Sequence, residues 1–124
     1  MIDFKNSDFL KLSPVSDTTY ASVIAPMFDP GEEIVGSFQT NRDGVVFTNK
    51  RIITINVQGI TGKKKDFTSL PYSKIQAFSI ETAGVLDLDS ELELWFSGLG
   101  KIRLEFVSRA NVTEICRMIS MNVL

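Results

Sequence analysis

The spacing of apolar residues in this chain changes twice, and those two changes set what it can fold into. From Glu32 to Val107 apolar positions recur with a period of two; from Ala110 onward they recur with the helical period. Seven short segments carry the first pattern: EIVGSFQT, GVVFT, RIITINV, DFTSLPY, IQAFSIETA, ELELWFS and IRLEFV. NRDG (41–44) joins the first two, and its Asp-Gly suits a tight hairpin. Pro71 marks the fourth segment as an edge strand or a bend, because proline lacks the N–H that a central strand must donate. In the third, Ile53, Ile55 and Val57 share one face and Ile52, Thr54 and Asn56 the other. In the sixth, Leu92, Leu94 and Phe96 alternate with Glu91, Glu93 and Trp95. In the seventh, Ile102, Leu104 and Phe106 point inward. The final stretch puts Val112, Ile115, Cys116, Ile119 and Val123 on one helical face, with Ile115 mid-stripe. Asn111, three residues before Glu114, resembles a capping box, although Ser or Thr is the usual first residue.

Residues 1–30 differ in pattern. Asp17 is placed to cap a short helix carrying Tyr20, Val23, Ile24 and Met27; Pro26 interrupts it and DPG (29–31) makes a turn. The organisation expected is a helical N-terminal extension, 1–30, and a single domain, 31–124. Seven strands followed by one amphipathic helix predict a mainly β fold. It is a strongly bent seven-stranded barrel of two antiparallel sheets capped by the C-terminal α-helix, the pleckstrin-homology (PH) arrangement.

Length and charge narrow the function classes. A chain of 124 residues can bury a core without staples. A net charge of -2 gives no whole-chain attraction to nucleic acid or an anionic membrane, so an anion site must come from local clustering. No apolar run reaches the roughly 20 residues that span a bilayer, and MIDFKNSDFLKL lacks the features of a signal peptide. With one cysteine there is no internal disulfide, and the expected compartment is the cytoplasm. There is no histidine, which removes the usual general base and the commonest zinc ligand. Cys116 sits on the apolar helix face as a small core residue, and no nucleophile elbow is present. The expectation is a protein that is not an enzyme, with no cofactor and no metal.

Several motifs, in order, carry a family resemblance: VFTNKRII, QGITGKKKDF, LPYSKI, FSIETAG and LDLDSELELWFSG. Together they resemble the bacterial PH-like family with one domain per chain, over roughly residue 31 to the C-terminus. The resemblance implies a fold of seven strands plus a C-terminal helix, and self-assembly into closed rings of identical subunits. It implies no agreed biochemical activity, because fold does not fix function.

Four features compete as sites. GITGKKK is not a nucleotide-binding P-loop: Gly59 and Gly62 are too close together, Lys64 stands where Ser or Thr is needed, and a strand follows. PH domains that bind inositol phosphates do so among the loops joining strands 1–2, 3–4 and 6–7. That resemblance makes Arg42, Lys63, Lys64, Lys65 and Lys101 candidate anion-binding residues. Against this, Val45, Val46 and Phe47 occupy the second strand, where basic side chains would be wanted, and Asp43 and Asp66 weaken the field. TNKR (48–51) reads as a turn supplied by Asn49, with Lys50 and Arg51 facing water. Asp87, Asp89 and Glu91 alternate as in a calcium loop, but Leu92 stands where glycine is required, so they read as turn residues. The last feature is the outer face of the sheets. Alternation places Trp95, Val46, Ile52 and Val107 outward, and an outward tryptophan is a common interface anchor. The leading expectation is a homo-oligomer that also binds a protein or peptide. The alternative is a peripheral membrane module holding anionic lipid headgroups through its loop lysines, and no nucleic-acid partner is expected.

Overall fold

The computed structural model describes residues 9–82, 84, 85, 89–107 and 110–124. Among the described residues there are eight strands: β1 (Phe9–Val15), β2 (Ile34–Thr40), β3 (Asp43–Thr48), β4 (Arg51–Gln58), β5 (Lys64–Pro71), β6 (Ile75–Glu81), β7 (Ser90–Phe96) and β8 (Gly100–Phe106). Two helices flank them, α1 (Thr18–Ile24) and α2 (Val112–Val123). The seven strands read from the pattern are β2 to β8. The count of seven in two sheets is corrected by β1, which pairs antiparallel with β2 and parallel with β8. This ties all strands into one hydrogen-bonded order, β5-β4-β3-β2-β1-β8-β7-β6. β1 had no usable alternation: its register to β8 shifts between Phe9 and Leu12, where Lys11 takes a left-handed φ of 62°. β5 and β6 are the two edges, as Pro71 implied for β5.

The main core fills the bend. It contains Phe38, Val45, Phe47, Ile52, Leu70, Tyr72, Leu92, Leu94, Phe96, Ile102, Leu104 and Phe106, closed by Val112, Ile115 and Ile119 of α2. Phe38 packs edge-on against Phe47 and Phe106, with ring centroids 5.7 and 5.0 Å away. The Asn111 carboxamide accepts from the Glu114 N–H at 3.2 Å, so the predicted cap starts α2. Cys116, read as a core residue, is only half-buried and is not among the core side chains of α2.

A second cluster lies on the other face of β3 and β4. Tyr20 and Ile24 of α1 pack there on Val46, Ile53 and Ile55. α1 therefore gives these strands a second buried face. Val46 and Ile52, read as outward, are both 0 % exposed: Ile52 points into the main core and Val46 lies under α1. Strict inside/outside alternation holds only for a sheet with one wet face. Val23 and Met27, from the same predicted stripe, stay partly exposed.

The hairpin between β2 and β3 turns two residues earlier than Asp-Gly suggested. Thr40 pairs with Asp43, leaving Asn41 and Arg42 as the turn, and Asn41 takes the left-handed φ of 47°. Gly44 is inside β3 because of Tyr20: a Cβ there would lie 2.4 Å from the Tyr20 ring. Asp17 precedes α1 without a capping bond and instead accepts from the Ser37 hydroxyl at 3.2 Å, tying α1 to β2.

Candidate functional surfaces

The residues singled out in the sequence fall into three groups. The first is the TNKR turn between β3 and β4. Arg51 does not face water. Its guanidinium grips Glu32 with two hydrogen bonds, Nε to Oε2 and Nη2 to Oε1, both 2.9 Å, and also donates to the Met27 carbonyl at 2.7 Å and the Ser69 hydroxyl at 3.1 Å. The Glu32 carboxylate is fully buried. It also accepts from the Thr48 hydroxyl at 2.7 Å and the Asp29 N–H at 3.0 Å. Burial opposes its ionisation, but the bonds from Arg51, Thr48 and Asp29, with the Arg51 charge, hold its carboxyl below the usual range. Thr48 accepts in turn from the N–H groups of Lys50 and Arg51, both at 3.0 Å. Asn49 clamps the loop ahead of β2 by accepting from Glu33 N–H at 2.8 Å and donating to Gly31 at 3.0 Å. From the core side the buried Tyr72 hydroxyl donates to the Thr48 carbonyl at 2.7 Å, and burial raises its pKa. Every strong donor here is engaged by the protein itself, so the turn is a structural lock.

The second group is the loop between β4 and β5, residues 59–63, with the first residues of β5. Lys63, Lys64 and Lys65 are all exposed, and Lys65 donates to the Gly62 carbonyl at 3.2 Å. Arg42, from the β2–β3 turn, reaches this loop and donates to the Gly59 carbonyl. A Cβ on Gly62 would lie 3.4 Å from Arg42 Nη2. Four of the five candidate cations thus lie on the β2–β3 turn, the β4–β5 loop it touches and the first two residues of β5. The Asp43 carboxylate turns toward β4 instead, accepting from Val57 N–H at 2.9 Å and Asn56 Nδ2 at 3.3 Å. Lys101 does not join the group: its Nζ lies 2.9 Å from Glu93 Oε2.

That pair belongs to the third group, the outer face of β6, β7 and β8. Trp95 is half-buried there, in register with Lys101 on one side and Ala77 on the other. Beside it, Glu91 pairs with Arg103 and Glu93 with Lys101, so the two carboxylates that alternate with Trp95 are charge-compensated. The register partner of Trp95 on edge strand β6, Ala77, is small and exposed. Val107, just after β8, is half-buried and donates its N–H to the Leu12 carbonyl at 3.1 Å. Of the acidic run, Asp89 pairs with Lys11 and Glu91 with Arg103; Asp87 lies outside the described residues. Among the described residues, no group of three or more Cys, Asp or Glu side chains is placed to hold a metal ion. Nor is any described helix long and apolar enough to cross a membrane.

The fold and these surfaces define a small PH-type domain. The chain belongs to the bacterial PH domain family, whose sequence profile matches residues 3–123. It is 40% identical over 110 residues to the uncharacterized protein YjqA of Bacillus subtilis (strain 168), covering 87% of this chain and 88% of that one. It is 34% identical over 101 residues to the uncharacterized protein YozO of the same organism, covering 82% and 87%. A Shewanella loihica protein with a pleckstrin-homology domain superposes with a TM-score of 0.79 at 36% identity, over 93% of this chain and 99% of that one. The pleckstrin homology domain from Shewanella amazonensis gives 0.65, also at 36% identity, over 96% and 93%.

Proposed function

We propose that the chain is a non-catalytic PH-like module that assembles with itself into a closed ring and offers a surface to a protein or peptide. The observation that supports this is the difference between the two edges of the open sheet. β5 is defended by Lys64, Lys65 and Pro71, residue types that discourage pairing with another strand. β6, IQAFSIE, holds no cation and no proline, and half-buried Trp95 lies one strand inside it. An undefended edge next to an aromatic anchor suits the addition of a strand or a neighbouring subunit. A contact of the β6 edge with a different surface of the neighbouring subunit closes into a ring when its rotation allows, whereas β6 on β6 would give a two-fold dimer.

Light scattering at two concentrations tests the assembly. The parent should exceed the monomer mass, and Trp95→Ala should shrink the particle while leaving the circular dichroism of the subunit unchanged. A parent that is monomeric at both concentrations overturns the reading. Assembly indifferent to Trp95→Ala moves the contact elsewhere, with Val107 the next residue to change.

A second reading has its own support: Arg42 of the β2–β3 turn and Lys65 at the start of β5 both donate to the β4–β5 loop, beside exposed Lys63 and Lys64, a local group of cations on an acidic chain. In this reading the patch holds the phosphate of an anionic lipid. Lys101 is not part of it.

A further inference from the structure

Edge strand β6 has two faces of different chemistry. Phe78 and Ile80 point inward and are half-buried against the main core. Ala77, Ser79 and Glu81 alternate with them on the outer face and are all exposed. Among the described residues no strand pairs with the free side of β6. The outer face next to it is acidic. Register places Glu81, Glu91 and Glu105 in one row across β6, β7 and β8, and like charges directly opposite one another destabilise a sheet. Glu91 pairs with Arg103 and Glu93 with Lys101, which leaves Glu81 and Glu105 without an ion pair among the described residues. Two rows along from Glu81, Ala77 is the register partner of half-buried Trp95.

A strand added to β6 meets these two faces in alternation. Its inward side chains lie beside Phe78 and Ile80, where apolar groups fit. Its outward side chains lie beside Ala77, Ser79 and Glu81. A cation there offsets Glu81, and one opposite Ala77 crosses only a methyl group on its way to the Trp95 indole. An acidic strand would lengthen the row of like charges. The chain's own second edge does not fit this pattern. β5 carries Asp66 and Thr68 on the face of core residue Leu70, and its cations Lys64 and Lys65 are adjacent, so they belong to opposite faces. We propose that the β6 edge receives an extended segment of another protein in which apolar and basic side chains alternate. This rests on the reading above that the edge takes a strand, and adds the chemistry of that strand. A subunit seated on the same edge would exclude it.

Trp95 is the only tryptophan in the chain, so its emission reports on this face directly. Short peptides are titrated onto the full chain, and binding is followed by Trp95 emission and by the polarisation of a dye on the peptide. Alternating valine and lysine should bind and shift the emission, less tightly as salt rises. Alternating valine and glutamate should bind about tenfold more weakly. Glu81→Gln, at an exposed position that should leave folding intact, should weaken the valine–lysine peptide about two- to fivefold, the size of one cross-strand charge pair. Methylating the backbone nitrogens of the valines alone, or of the lysines alone, should abolish binding in one series and spare it in the other, because alternate N–H groups of a strand face the same neighbour. If the glutamate peptide binds as well as the lysine peptide, or Glu81→Gln changes nothing, the basic chemistry is overturned while strand addition stands. If both methylated series bind, or no peptide moves either signal, the edge takes no strand and the reading on which this rests falls too. If the lysine peptide binds only as light scattering shows the particle coming apart, the edge belongs to the subunit contact and a partner segment is not its occupant.

Discussion

Two turns at the ends of β4 look alike in sequence, TNKR before it and GITGKKK after it. Both contain basic residues and small turn formers. In three dimensions they are opposites. In the first, Arg51 closes a bidentate pair on a buried carboxylate while Asn49, Thr48 and Tyr72 hold the surrounding backbone. In the second, three lysines and an isoleucine are exposed, and Arg42 and Lys65 donate to the loop's own carbonyls. The difference is what lies opposite each turn. Residues 29–33 fold over the first turn and supply Glu32 and bare carbonyls; beside the second, the Asn41–Arg42 turn brings a further cation and not an acceptor. A positive side chain is a structural part when the fold brings it a buried acceptor, and a surface feature when it does not.

The largest expected effect would break the first turn. Arg51→Ala leaves the Glu32 carboxylate buried without its cation and should cost about 3–5 kcal/mol in denaturant unfolding. A loss below about 1 kcal/mol would mean that water reaches Glu32 and the turn resembles the lysine loop after all.

Acid should separate the turns next. The folded pKa of Glu32 is lowered, so its contribution is fully present above the unfolded value of about 4.3 and is lost as pH falls through the lower folded value. Unfolding midpoints of the parent should therefore fall on acidification through that range. Glu32→Gln should start lower and show a flatter acid limb. An identical acid limb in both proteins would show that other carboxyl groups set the acid response.

Tyr72→Phe removes only the hydroxyl bond to the Thr48 carbonyl and should cost about 1 kcal/mol. No change would show that water replaces the tyrosine there.

The smallest effect belongs to the second turn. Gln at Lys63, Lys64 and Lys65 should shift stability by less than about 0.5 kcal/mol, because exposed side chains contribute little. A larger loss would mean that the loop has structural partners.

Much of this molecule could be read in advance because period and burial coincide where one face of a strand is wet. β7 and β8 followed the rule: Leu92, Leu94, Phe96, Ile102, Leu104 and Phe106 are all in the core. α2, its Asn111 cap and buried Ile115 were likewise local and legible, since helix period and cap chemistry act within a few residues. The gathering of Arg42 with the lysines came from the family resemblance and not from spacing, and the fold left Lys101 outside it.

The rest required long-range contacts. A period of two says that Ile52 and Ile53 face opposite ways; it does not say that α1 will cover the second face, so Val46 and Ile52 were read as wet. β1 was hidden because a strand with a left-handed Lys11 and a shifted register has no clean alternation. Arg51 was read as solvated because its acceptor, Glu32, lies 19 residues away in sequence. The sequence by itself determined the strands after Glu32, the closing helix and the chemistry available at each turn. Tertiary structure decided which of those groups are spent inside the protein and which remain outside, because burial depends on what distant segments bring, and one chain segment's own pattern does not contain that.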